Sequence, residues 1–219
     1  MSELALSRAE LVVRAIAEAA VDNETYFCEL DAVVGDGDFG YSLARGFEIV
    51  LSDWETLEYE DTAGLLKRTA VILTKRIGGT SGPIWGTAFL RAGAALAGVA
   101  DPDTRQVIAA MRAAIGGIKQ RGDCELGDKT LLEALVPAVD ALEESLLGGL
   151  DVGIALERAA ASARAGAEAT KGMIAKRGRA AYTGDRSQDS VDAGAVGVAV
   201  IVEAVSRAWQ ESSVNLRLA

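Results

Sequence analysis

Hydrophobic positions recur every three or four residues along almost the whole chain, which is the spacing of one face of an α-helix. The pattern predicts nine helical segments, at 7–20, 23–33, 40–55, 61–77, 82–98, 103–120, 129–147, 153–175 and 194–210. No convincing strand pair, internal repeat or domain linker interrupts the series. We therefore expect an all-α fold, a bundle or barrel of about eight antiparallel helices, forming one domain over residues 1–219 with a flexible tail at about 212–219.

Polar residues and prolines at the predicted helix starts support these boundaries. Ser7 is placed to cap the first helix, and Asp61 or Thr62 the fourth. Pro83 falls in the first turn of the fifth helix, where a missing backbone N–H costs little.

The joints between the predicted helices are of two alternating kinds. Four joints contain many Gly, Asp, Ser and Thr residues, namely 35–40, 78–82, 121–130 and 177–194. Three plainer joints, near 57–61, 99–103 and 148–152, lie between them. Alternate joints of antiparallel helices lie at the same end of a bundle. We expect the four polar joints to meet at one rim, which would bring residues distant in sequence into one site.

Composition and charge exclude several classes of function. Hydrophobic residues make up 50% of the 219, aromatic residues only 5%, and the formal net charge is -10. Such an acidic surface repels nucleic-acid phosphates and anionic lipids, so neither nucleic acid nor a membrane is an expected partner. The two cysteines are too few for a disulfide framework. With no signal-peptide pattern and no apolar run of roughly 18 residues, we expect a cytoplasmic protein with reduced thiols.

The chain contains no histidine. A phosphohistidine carrier, a histidine base and a histidine metal ligand are therefore excluded. Any chemistry must use carboxylates, hydroxyls, backbone amides, Lys and Arg.

Three aspartates stand close together in the segment LDAVVGDGDFGYS. Asp31 is predicted in the last turn of a helix, with Asp36 and Asp38 in the loop that follows. A carboxylate at a helix C-terminus opposes the helix dipole, and three clustered carboxylates repel one another unless a cation compensates. Oxygen ligands alone favour Mg²⁺ or a similar hard ion, which typically also binds substrate phosphates. The alternative is that Asp36 and Asp38 form a capping turn while Asp31 is solvated.

Two familiar motifs fit the loops poorly. The segment from Asp36 begins like an EF-hand, but Gly40 and Phe47 stand where that motif requires oxygen ligands. The segment GDCELGDKT is not a Walker A loop, because Asp128 intrudes before the lysine and a helix precedes it. Thr130 and Glu133 instead form a candidate capping box, whose helix start is also a fair anion site.

The two remaining polar joints carry groups that suit phosphate. GGTSG places Thr80 and Ser81 at the start of the fifth helix, where backbone N–H groups and the dipole favour anions. The last joint contains Arg177, Arg179 and Arg186, and Arg is suited to bidentate phosphate contacts. Read alone, each joint is equally well an ordinary turn or a solvated charged loop.

Four segments together resemble a known family. LDAVVGDGDFG, GGTSGPIWGTAFLRA, GDKTLLEALVPA and GRAAYTGDRSQDSVDAGA resemble, in order and spacing, the signature segments of the dihydroxyacetone kinase L subunit family, DhaL. The similarity extends from about residue 8 to about residue 208. It implies an all-α barrel that binds ADP or ATP at one rim, with Mg²⁺, expected as two ions.

The resemblance also assigns site residues by position. Asp31, Asp36 and Asp38 correspond to the metal ligands. The nucleotide-binding positions correspond to Phe39, Gly40, Ser42, Gly79, Thr80, Ser81, Gly122, Thr130, Leu131, Arg179, Asp192, Ala193 and Gly194. Three of these depart from the family pattern: Phe39 replaces a histidine, Ser42 a common asparagine and Ala193 a proline. No catalytic residue is assigned to this chain.

The implied function is phosphoryl transfer from the nucleotide to a small ketose held by a separate K-type subunit. The expected partners are that subunit and, in some relatives, a phosphohistidine carrier; a homodimer remains open. The sequence does not distinguish ATP from a phosphoenolpyruvate-linked donor, or dihydroxyacetone from another ketose. A non-catalytic nucleotide-binding regulator and a purely structural helical bundle are the alternatives.

Overall fold

A computed structural model describes the backbone of residues 3–218, and the side chains of 4–182 and 184–213. This part of the chain forms nine α-helices and no strand. The helices are α1 Glu3–Asp22, α2 Glu24–Ala32, α3 Phe39–Ser52, α4 Thr62–Arg76, α5 Ser81–Ala95, α6 Thr104–Gly122, α7 Leu132–Leu147, α8 Val152–Ala169 and α9 Ala193–Leu218. Short 3₁₀ segments lie at Trp54–Thr56, Thr170–Gly172 and Arg179–Ser187. The predicted all-α class is confirmed.

Eight of these helices form a closed ring. Each of α3 to α9 packs on the next in chain order, and α1 packs on both α3 and α9 to complete the circle. The short α2 lies beside α3. Every one of the nine helices contributes to one continuous hydrophobic core. The ring is the barrel that the sequence predicts.

Small residues let the helices approach closely. α8 buries alanines along its inner face, at Ala155, Ala159, Ala160, Ala163 and Ala167. Beside them, a Cβ at Gly166 would lie 2.0 Å from the carbonyl oxygen of Glu133 on α7, so only glycine allows this contact. Apolar side chains also line a cavity of about 230 Å³ between the helices.

The helix boundaries match the sequence in part. Asp61 caps α4, with its carboxylate accepting a 2.6 Å hydrogen bond from the N–H of Gly64, and Pro83 lies in the first turn of α5. The prediction for Ser7 is wrong, because α1 already contains it. The backbone of the segment predicted as a tail is helical as far as Leu218, where α9 ends.

The joints divide between two rims. The connections after α2, α4, α6 and α8 surround one cleft, as the alternation predicts, and this end is called the site rim. Consequently α3, α5, α7 and α9 all begin at the site rim. None of the helices described is long and apolar enough to cross a membrane.

Candidate functional site

The cleft at the site rim has a volume of about 480 Å³, within the range of small-molecule sites. All four polar joints contribute to its lining. Every residue that the sequence assigns to the site borders the cleft except Gly40. Gly40 is buried against α2 instead, where a Cβ would lie 2.0 Å from the carbonyl oxygen of Glu24. The packing of α2 on α3 therefore requires glycine at this position.

Three carboxylates converge at one side of the cleft. Asp31, Asp36 and Asp38 each offer an oxygen, and these oxygens lie within 4.8 Å of one another. Asp31 lies in the last turn of α2, as expected, and its Oδ2 accepts a 2.9 Å hydrogen bond from the N–H of Gly37. A Cβ at Gly35 would lie 2.2 Å from Asp31 Oδ1, so glycine is needed here for the carboxylates to come together.

The capping alternative fails for Asp38. It occupies the N-cap position of α3, but its side chain makes no capping hydrogen bond. Asp36 and Asp38 are exposed and Asp31 is half-buried, so the cluster opens to the cleft. Three hard oxygen donors at this separation suit Mg²⁺, whose other ligands are usually water and phosphate oxygens. The residues present therefore fit the ion that the resemblance implies.

A guanidinium group lies against the same carboxylates. Arg179, from the loop between α8 and α9, pairs with Asp36, and its second terminal nitrogen lies 3.5 Å from Asp38. Two of the three carboxylates thus already pair with a cationic side chain. A guanidinium group binds phosphate as well as carboxylate. From its position beside Asp36 and Asp38, Arg179 can therefore contact a phosphate bound next to these carboxylates.

The loop before α5 leaves its polar groups facing the cleft. Gly79 has φ of 62°, and a Cβ there would meet nothing within 4 Å. Thr80 is the N-cap of α5, but its side chain makes no capping hydrogen bond. With Ser81, it places hydroxyl and backbone donors at a helix N-terminus, the environment that favours phosphate.

Only one of the two hydrogen bonds of the capping box predicted before α7 is present. Oε1 of Glu133 accepts hydrogen bonds from the backbone N–H groups of Lys129, at 2.6 Å, and Thr130, at 3.2 Å. The Thr130 hydroxyl accepts from Leu132 rather than from Glu133, at 3.2 Å. Burial raises the pKa of the Glu133 carboxyl, and these backbone donors oppose that shift.

Asp192 has a structural role that the sequence does not indicate. Its Oδ1 accepts a 2.7 Å hydrogen bond from the N–H of Ala195 at the start of α9. Its own N–H donates to the buried hydroxyl of Thr170, at 2.8 Å. Burial raises the pKa of the Asp192 carboxyl to about 7, with a further contribution from the nearby charge of Glu133.

Phe39 borders the cleft and also reaches the core. Its ring lies 5.8 Å from that of Phe27, and a Cβ at Gly197 on α9 would lie 3.3 Å from it. The ring packs where α2, α3 and α9 meet. It adds an apolar surface beside the carboxylates and no hydrogen-bonding group.

Sequence reasoning missed several residues that border the cleft, namely Val34, Gly78, Pro83, Ile84, Trp85, Arg121, Cys124, Lys129, Gly178, Ala180 and Val191. Arg177, which the sequence offers as a phosphate-contacting arginine, also borders the cleft. In the structure it lies 3.4 Å from Asp123 and from Asp128, so its charge is directed to carboxylates. The sequence does draw attention to the neighbouring Asp128 and Lys129, because Asp128 intrudes before Lys129 and so excludes a Walker A loop. It does not indicate that Lys129 borders the cleft.

Comparison with known proteins gives a consistent result. The DAK2 domain model matches residues 33–207. The chain is 34% identical over 186 residues to the "PEP-dependent dihydroxyacetone kinase, ADP-binding subunit DhaL" of Escherichia coli K12, covering 85% of this chain and 89% of that protein. It is 35% identical over 197 residues to the L-erythrulose kinase of Pectobacterium atrosepticum, covering 89% of this chain but 33% of that enzyme.

A solved structure shares the fold. The dihydroxyacetone kinase of C. freundii, in complex with AMP-PNP and Mg²⁺, superimposes with a TM-score of 0.70 at 27% identity. The match covers 94% of this chain and 34% of that one, so the chain corresponds to about a third of the larger kinases. Sequence, fold and loop arrangement agree that the chain belongs to the DAK2 domain family and is of the DhaL type.

Proposed function

We propose that this chain is the nucleotide-binding component of a small-ketose kinase of dihydroxyacetone kinase type. It binds ADP or ATP with Mg²⁺ in the cleft at the site rim. The observation that carries the proposal is the cluster of Asp31, Asp36 and Asp38 opposite a helix start that offers phosphate-binding donors. The E. coli relative is named as an ADP-binding subunit, and the C. freundii kinase was solved with AMP-PNP and Mg²⁺.

Each part of the cleft has a role in this proposal. The three aspartates hold Mg²⁺, which supplies charge neutralisation for the phosphate chain. Backbone and hydroxyl donors at Thr80 and Ser81 bind phosphate oxygens. Arg179, which lies against Asp36 and Asp38, contacts the terminal phosphates from the same side as the metal ligands. The remaining lining residues hold the nucleoside, among them Gly122, Leu131 and Gly194.

The chain orients the nucleotide and leaves the acceptor to a partner. In-line phosphoryl transfer requires alignment and charge stabilisation more than a base. The small ketose is held by a separate K-type subunit, and the spent nucleotide is either exchanged or recharged by a phosphohistidine carrier. These 219 residues contain no histidine for that relay, so the phosphohistidine of the carrier lies outside them.

Calorimetric titration with ADP and ATP, in Mg²⁺ and in EDTA, tests the binding step. Wild type is expected to bind only with Mg²⁺, and Asp36→Asn to lose at least about tenfold in affinity, since removal of even a residue that supports a metal ligand typically costs that much. Asp101→Asn makes the same charge change in an exposed loop between α5 and α6 and is the control. Failure of wild type to bind either nucleotide, or binding unaffected by EDTA, refutes the proposal.

A non-catalytic nucleotide-binding module is the second candidate, because Phe39 replaces the histidine of the family pattern. A measurement of ketose phosphorylation distinguishes the kinase component from the non-catalytic module. Purified chain, ATP, Mg²⁺ and a K-type subunit are combined with dihydroxyacetone or erythrulose, and ketose phosphate is measured. Phosphorylation supports the kinase. Tight Mg²⁺-dependent binding without turnover across several K-type subunits supports the regulator.

A further inference from the structure

Two charged side chains in the described part of the chain are almost fully buried, and both lie beside the cleft. Lys129 is 2% exposed and Glu133 is 4% exposed. Burying an ammonium group is unfavourable unless polar groups replace its water. Neither residue belongs to the predicted nucleotide site, so the reason for their burial must lie in what they contact.

The ammonium group of Lys129 uses all three of its donors within one loop. Nζ donates hydrogen bonds to the backbone carbonyls of Met173 at 3.0 Å, Ser187 at 2.5 Å and Ser190 at 2.7 Å. A lysine ammonium has three N–H groups, so its hydrogen-bonding capacity is fully satisfied here. No carboxylate of the described residues lies within ion-pair distance of it.

These contacts join the two arms of a single loop. Met173 lies near the beginning of the loop between α8 and α9 (residues 170–192, the α8–α9 loop), and Ser187 and Ser190 lie near its end. Arg179 lies between them and reaches the carboxylates of Asp36 and Asp38. One buried charge therefore holds together both arms of the segment that presents Arg179.

The backbone conformation of Lys129 is held by hydrogen bonds that orient its side chain towards the α8–α9 loop. Its φ is 61°, in the left-handed region that favours glycine. Its N–H donates to Oε1 of Glu133, which anchors this conformation to the first turn of α7. The neighbouring Asp128 extends the same anchor, because its carbonyl accepts a 3.0 Å hydrogen bond from the N–H of Lys176. The α8–α9 loop is thus attached to the start of α7 by two consecutive residues.

We propose that Lys129 is a positioning residue: by clamping both arms of the α8–α9 loop, it holds Arg179 at the phosphate end of the cleft. The proposal rests on nucleotide binding in that cleft. It does not place Lys129 in contact with the nucleotide, and it predicts that Lys129 acts on affinity through Arg179.

A double-mutant cycle tests this coupling. The Kd for Mg²⁺–ADP is measured for wild type, Lys129→Met, Arg179→Met and the double variant. Lys129→Met is expected to weaken binding about tenfold, whereas the same change in the Arg179→Met background alters it less than twofold. Lys171→Met, an exposed lysine of the same loop, is the control and should match wild type. Independent, multiplying effects of the two substitutions overturn the proposal.

Amide hydrogen exchange tests the clamp without any nucleotide. In the ligand-free protein, peptides from residues 170–192 are expected to exchange at least tenfold faster in Lys129→Met, while peptides from α4 and α5 are unchanged. Equal exchange in the loop overturns the clamp. If wild type binds no nucleotide, the proposed function fails, while this measurement still decides whether Lys129 holds the loop.

A second substitution covers the case in which Lys129→Met does not fold. Lys129→Arg keeps the buried charge, but a planar guanidinium cannot match three carbonyls arranged around an ammonium. The arginine variant is expected to show faster loop exchange and the same coupling to Arg179. Wild-type exchange and wild-type affinity in this variant would contradict the proposal.

Discussion

The carboxyl of Asp192 should make the stability of this protein depend on pH close to neutrality, where few types of side chain change their charge. Burial raises the pKa of Asp192 from 3.8 to about 7, the charge of Glu133 adds to the shift, and the hydrogen bond from Ala195 opposes it. Histidine, the side chain that normally titrates between pH 5 and 8, is absent.

The direction and size of the effect follow from this shift. In the unfolded chain Asp192 is ionised above about pH 4, whereas in the folded protein it keeps its proton until about pH 7. Its contribution to stability is therefore complete below pH 4 and is lost as the pH rises through 7. Between pH 5 and pH 8 the free energy of unfolding should fall by roughly 2–3 kcal/mol from this group alone.

Urea unfolding, followed by far-UV circular dichroism in EDTA, measures the effect at pH 5, 6, 7 and 8. Asp192→Asn is the matched variant, since its amide oxygen still accepts from Ala195 but cannot ionise. The variant should lack the 2–3 kcal/mol decline, while any contribution from Glu133 remains in both proteins. Parallel profiles for the two proteins would show that Asp192 titrates normally and would refute the reasoning.

Other substitutions test the packing. Gly40→Ala should destabilise the fold by about 1–3 kcal/mol in urea unfolding, because its Cβ would lie 2.0 Å from the Glu24 carbonyl oxygen. Gly116→Ala, also helical but with nothing within 4 Å, should be neutral or gain up to about 1 kcal/mol; equal losses would contradict the packing argument. Arg164→Met breaks two 2.8 Å hydrogen bonds to Glu203 and should cost about 1 kcal/mol, less in 1 M salt. No change in low salt would contradict that role.

The sequence predicted the features that depend on local pattern and chain order. Helical periodicity gave the helices, and the alternation of joints placed Asp36, Thr80 and Arg179 at one rim although they are far apart in the chain. The cap at Asp61 was equally local, since it depends on a residue three positions away. These predictions succeeded because each signal is contained in a short segment or in the order of segments.

The features that it missed depend on partners distant in the chain. Lys129 bonds to carbonyls 44 to 61 residues away, and carbonyl groups have no sequence signature. Gly40 was assigned to the nucleotide site by resemblance, and the sequence did not reveal how closely α2 approaches its backbone. The high pKa of Asp192 likewise arises from burial, which one residue type cannot reveal. Tertiary packing decided each of these cases.

The closure of the helical ring also determines where a label or tether can be attached without covering the cleft. Arg8 on α1 lies over the ring of Trp209 on α9, with its guanidinium carbon 5.5 Å from the ring centroid. Arg14 on α1 lies over the ring of Trp54, in the joint between α3 and α4. The first helix and the last therefore meet towards the end opposite the cleft. α9 alone spans 26 residues, or roughly 39 Å at 1.5 Å per residue. A fluorophore or surface tether attached near residue 8 or 209 should therefore leave the cleft facing solution. Immobilised protein would then report ligand and subunit binding without obstruction from its own attachment.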